Sequence, residues 1–192
     1  MNDGSDSSSP SGTNDEPPQS GQAGQMFVDI IEDAGNWGAI GDIEDAVRTA
    51  AAAASEFPET DLADGLAAIA LSDDAHIATL NADYRGKPSA TNVLSFPAAP
   101  DLPGVTPEER FLGDIILAAE TVMREAAELD IPPRHHVQHL VVHGLLHLTG
   151  FDHDTDEEAE VMEALETRIL ATLDIPDPYA HLAQSAEAET EA

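Results

Sequence analysis

The sequence predicts an α+β domain: a mixed sheet of about four strands packed with about five helices. Three observations support this. Apolar residues make up 42% of the 192 positions, enough to bury one full core but hardly two. Short alternating or continuous apolar runs are interspersed with longer stretches of helical spacing. Their order is strand, helix, strand, helix, strand, strand and then three helices, which suggests a mixed sheet.

Residues 1–25 are rich in Ser, Gly, Asp, Asn and Pro and nearly lack apolar side chains. Such a stretch cannot bury enough surface to offset its ordering entropy, so a disordered polar tail is expected. A second is expected at 184–192, leaving one domain over 26–183. Met26 to Ile31 reads as the first strand, and Asp42 to Phe57 as a helix with Ile43, Ala46, Val47 and Ala50 at helical spacing. Gly35 and Gly38 fall in the connection. Leu66 to Leu71 suits a second strand, with Ser72 as the N-cap of a helix carrying Ile77 and Leu80. Thr91 to Phe96 alternates and stops at Pro97, after which four prolines in 97–110 predict an extended loop. Leu112 to Ala118 completes the strands, and Glu120 to Leu129 forms a third helix. Pro132 and Pro133 open a long helix whose Val137, Leu140, Val141, Leu145 and Leu148 form a buried face, and Gly150 ends it. Thr155 to Glu158 has the form of a capping box, starting a last helix to about Leu173.

The charge is unusual: 38 acids face 7 cations, and Lys87 is the only lysine, giving −31. Acids are spread along the whole chain and alanine is abundant, as expected of a surface adapted to concentrated salt, where a Debye length of about 3 Å screens self-repulsion. No run of about 18 apolar residues and no signal-peptide pattern occurs, so a soluble, cytoplasmic protein without a membrane partner is expected. With no cysteine, any metal must be held by nitrogen and oxygen.

His143 and His147 lie four apart on the long helix, and such residues differ by about 40° around the axis, so both imidazoles leave one face. A third ligand must approach from off the helix. Gly150 permits the chain to turn at once and deliver His153. Three neutral imidazoles leave one coordination position open, the form of a catalytic rather than a structural zinc site. One Zn2+ on His143, His147 and His153 is therefore expected. His139, one turn earlier, is a candidate for supporting a ligand or contacting substrate, and Asp152 for orienting a ligand. His76, His135, His136 and His181 read as solvated or structural. The spacing is similar to that of metzincin metalloproteases, which place a glutamate after the first histidine as general base. Here that position is Gly144, which cannot take a proton.

The run from His143 through Gly144, Leu145, Leu146, His147, Leu148, Thr149, Gly150, Phe151 and Asp152 to His153 resembles the signature of the bacterial rRNA maturation factors of the YbeY type. Two further blocks, Leu80 to Lys87 with Thr91 to Pro97, and Leu112 to Ile115, are similar to the family's other stretches, and the likeness spans about 26–175. The resemblance implies a zincin-like fold and a zinc ion on the three histidines. It also implies single-strand-specific endoribonuclease activity in rRNA maturation near the small-subunit 3′ end, and a part in ribosome quality control. Single-stranded rRNA and the small ribosomal subunit with its proteins would be partners, and DNA would not. Arg85 is implied to be functionally important. Chemically, Arg85 presents a permanent planar cation to a scissile phosphate, beside the metal ligand His143 as the second catalytic candidate, and Lys87 is a candidate substrate contact. A structural salt bridge is the other reading of Arg85. The attacking group is either water or the RNA 2′-hydroxyl, and no general base stands out. Two other readings are a ribosome-assembly factor with a structural zinc, and a zinc protease that would need the absent glutamate.

Overall fold

A computed structural model of the chain describes residues 25–99 and 110–180. Its four strands and five α-helices follow the predicted order: β1 (Phe27–Glu32), α1 (Ile43–Ser55), β2 (Gly65–Ser72), α2 (Asp74–Arg85), β3 (Val93–Pro97), β4 (Arg110–Ala118), α3 (Ala119–Glu128), α4 (Pro133–Leu148) and α5 (Asp156–Ala171). The sheet order is β1-β2-β4-β3, with β1, β2 and β4 parallel and β3 antiparallel to β4 at one edge. The mixed-sheet α+β expectation therefore holds. The expected tails lie outside the described residues apart from Gln25, as does most of the expected 97–110 loop.

One face of the sheet carries α1 and α4. Helix α1 buries five alanines, Ala46, Ala50, Ala51, Ala53 and Ala54, and such short side chains let α1 and α4 pack closely. Gly144 does the same for α4 against the sheet, since a Cβ there would stand 3.0 Å from Ile115 and 3.1 Å from Ser95 Oγ. Burial on α4 extends beyond the predicted stripe to His136, Gln138, Val142 and Leu146, because α1, α3, α5 and the sheet all pack against it. The opposite face of the sheet carries α2, with Ile77 packed among Leu94, Phe96, Ile116 and Ala118.

Two local expectations are corrected. Ser72 is not the N-cap of α2; it is the last residue of β2, still paired with Ala118. Asp73 caps instead, accepting from the His76 N–H at 2.8 Å, since a carboxylate one residue nearer the helix outcompetes the hydroxyl. The connection holding Gly35 and Gly38 also contains a 3-10 turn, Trp37–Ile40, that buries Trp37 to 1% exposure, its Nε1–H donating to Ala34 O. Helix α5 starts as predicted, with Thr155 and Glu158 forming a reciprocal capping box.

Candidate metal centre

The end of α4 builds the site. Gly150 adopts φ +94°, and the N–H groups of Gly150 and Phe151 return to His147 O and Leu146 O at 3.2 and 3.1 Å. That turn has a chemical consequence: the Phe151 carbonyl comes back to His147 Nδ1 at 2.9 Å. A carbonyl only accepts, so the proton sits on Nδ1 and the Nε2 lone pair is free. Asp152 reaches the backbone N–H of His153 at 2.8 Å rather than an imidazole, steadying the loop that presents His153.

His143 is fixed in the same tautomer by another route. Its Nδ1–H donates to Glu166 Oε1 at 2.9 Å, and Glu166 Oε2 accepts from His139 Nε2 at 2.8 Å and from the Tyr179 hydroxyl. Glu166 is fully buried. Burial pushes its carboxyl pKa up, but the hydrogen bonds and charges of His139 and His143 more than offset this and hold it at about 2. For Tyr179, burial and then the Glu166 charge push the phenol well above its ordinary range, so it stays a donor. Burial, then the charge of His143, lowers the His147 pKa and favours the neutral form that ligates.

The two free Nε2 atoms of His143 and His147 stand 3.1 Å apart. With His153 they form a group whose donor atoms all lie within 4.8 Å of one another. Lone pairs aimed at one point repel unless a cation lies between them, so this donor set fits a metal ion. The structure thus brings together His143, His147 and His153, and places His139 and Asp152 around them in supporting positions.

Glu166 and Tyr179 are the residues that the sequence reading missed. The signal for Glu166 was present: an acid inside the apolar stripe Met162, Leu165, Ile169 of α5 is anomalous unless something buried needs it. His136 is buried and structural, bonded to Glu125 at 2.8 Å; His76 lies between Ser72 and Asp33; His181 lies outside the described residues. Asn92 also bonds Glu125, and Ser95 points at α4 beneath Gly144.

Arg85 and Lys87 lie at the exposed C-terminal end of α2, the helix that packs on the face of the sheet opposite α4. Among the described residues neither has a carboxylate partner, whereas Arg48, Arg110, Arg124, Arg134 and Arg168 are each within 4 Å of an acid. The salt-bridge reading of Arg85 finds no partner there.

Fold and site together define an α+β protein with a candidate single-ion histidine centre backed by a buried carboxylate. The family model described as Endoribonuclease YbeY matches residues 39–174. Curated relatives named Endoribonuclease YbeY are similar over most of the chain. That of Nitrobacter hamburgensis is 45% identical, covering 87% of this chain and 95% of its own. That of a Jannaschia species is 48% identical, covering 80% and 100%, and that of a Bradyrhizobium strain is 51% identical, covering 80% and 92%. The chain belongs to the YbeY endoribonuclease family.

Proposed function

We propose that this chain is a single-strand-specific, metal-dependent endoribonuclease acting in rRNA maturation at the small-subunit 3′ end and in ribosome quality control. We place one zinc ion on His143, His147 and His153, within a single domain over 26–183. The observation that carries this reading is the partly exposed three-imidazole centre of a chain whose named relatives are endoribonucleases.

A bound zinc ion supplies Lewis acidity toward a phosphodiester and toward water. The residues of the chain do the rest. Glu166 and the Phe151 carbonyl hold His143 and His147 in the tautomers whose Nε2 atoms would bind the ion. Arg85 meets an RNA phosphate as a cation with no carboxylate partner among the described residues, which matters in a chain of charge −31. Lys87 adds a second contact. The protease reading is weakened further by packing, because a Cβ at Gly144 would stand 3.0–3.1 Å from the Ile115 and Ser95 side chains, which would have to shift to admit a glutamate.

Among the described residues no helix is long and apolar enough to cross a membrane. We assign the protein to the cytoplasm with the small ribosomal subunit, and read its acidity as adaptation to high salt. Melting measured from low to multimolar KCl is expected to show stabilisation by salt; unchanged melting would sink that part.

The test is cleavage of a labelled single-stranded rRNA fragment at several KCl concentrations by zinc-loaded wild type, His143→Ala and Arg85→Ala. Loss in both variants with folding intact is expected. Equal residual cleavage in all three means a contaminating nuclease, and moves the assignment to an assembly factor with a structural zinc.

A further inference from the structure

On the α2 side of the sheet, the described residues leave the cover incomplete. Helix α2 packs over β3 and β4, while Ile31 of β1 and Ala68 and Ala70 of β2 remain as one wall of an open groove of about 360 Å³. Leu80 and Tyr84 of α2 and Phe96 of β3 form the other wall, and Asp114 of β4 lies between. Tyr84 is 70% exposed and meets the Phe96 ring edge-on, with centroids 5.0 Å apart. The Asp114 carboxylate, exposed on its strand, has no partner among the described residues. Arg85 and Lys87, the two cations without an acid among the described residues, stand one and three positions after Tyr84.

These features narrow the occupant. A second copy would bring the same acidic surface and oppose Asp114 with more carboxylates. An aliphatic ligand would use the walls but leave Asp114 desolvated and unpaired. An unpaired nucleobase uses all three elements. Its face stacks on an exposed aromatic ring, an exocyclic amino group donates to an acceptor-only carboxylate, and its phosphates meet free cations. A groove of this volume lies within the usual range for small-ligand sites of about 300–1,000 Å³.

We infer that the groove receives one unpaired base bearing an exocyclic amino group, from a single-stranded RNA whose adjoining phosphates lie on Arg85 and Lys87. The inference rests on the endoribonuclease reading above. Strand β3 lies between groove and metal helix, with Phe96 toward α2 and Ser95 toward α4, so an RNA held in the groove runs beside the edge strand that borders α4.

Cytosine and uracil share a ring and differ at the edge that Asp114 would read. The test is fluorescence anisotropy of full-length, zinc-loaded protein with cleavage-resistant 2′-O-methyl phosphorothioate hexamers of cytidine and of uridine at fixed KCl. Wild type is expected to bind the cytidine oligomer about tenfold more tightly. Asp114→Asn, which offers a donor as well as an acceptor, is expected to bring the two within about twofold, a loss of preference that a purely structural role would not produce. Tyr84→Leu is expected to weaken both about tenfold while Tyr84→Phe keeps wild-type affinity. Equal binding of the two oligomers, or a preference that survives Asp114→Asn, in a protein that still cleaves rRNA overturns the groove and leaves the nuclease reading standing. A wild type that neither binds nor cleaves RNA overturns both.

Discussion

Along α4 the ring nitrogens of His139, His143 and His147 are held by Glu166, Tyr179 and the Phe151 carbonyl, whereas at the end of α2 Arg85 and Lys87 are held by no carboxylate among the described residues. The two arrangements suit different ligands. A small cation is bound well only by donor atoms already in place, with tautomers chosen in advance. A polyanion is met best by cations whose charge is not neutralised at home, and in a chain with 38 acids an unpaired arginine is the exception. The comparison makes opposite demands on stability: substitutions behind the histidines should disturb fold and metal together, and substitutions at the end of α2 should leave the fold alone.

The largest effect is expected from removing the metal or a ligand. Chelation, or His147→Ala, should abolish RNA cleavage, beyond the roughly 10–100-fold that a residue supporting a ligand is worth. Bound zinc measured by elemental analysis should fall with it. Next comes Glu166→Ala, which leaves two imidazoles and a phenol facing an empty buried space. Zinc affinity in competition with a chromophoric chelator should drop about 10–100-fold, and unfolding free energy should fall on the order of 3–5 kcal/mol. A Glu166→Ala protein that binds zinc normally would break the contrast between the two regions.

Acid sharpens it further. Glu166 titrates at about 2 in the folded protein against an ordinary value of 4.5, so its contribution is complete above about pH 4.5 and is lost as pH falls toward 2. The stability gap between the metal-free wild type and Glu166→Gln should therefore narrow by about 3 kcal/mol over that window. Denaturant unfolding at a series of pH values measures it, and a gap constant with pH would mean that the carboxylate charge is not what matters. Tyr179→Phe removes one of the hydrogen bonds that Glu166 accepts and should cost about 1 kcal/mol, with a correspondingly small loss of zinc affinity. Smallest is Arg85→Ala, whose unfolding free energy should stay within about 0.5 kcal/mol of wild type, because an exposed side chain with no acidic partner among the described residues supports little else. A larger loss would show that Arg85 serves the fold.

The three histidines were legible because all of them fall between residues 143 and 153, where helix geometry and one glycine decide the placement. Element order and most boundaries were legible for the same local reason, through apolar period and capping residues such as the Thr155 box. The Ser72 cap was misread because two acids follow it and any of the three residues satisfies the pattern; the continuing pairing with Ala118 decides.

The sequence by itself therefore determined the order of elements that sets the fold class, the family resemblance and the face of α4 that carries His143 and His147, since each is written in residues a few positions apart. Tertiary structure alone decided that β4 lies between β2 and β3, that Glu166 reaches His143 across 23 positions, and that among the described residues five arginines find acids while Arg85 does not. The physical reason is that pairing between distant segments depends on how whole faces pack, and many acids in one sequence are equally plausible partners until the fold brings one within hydrogen-bonding distance.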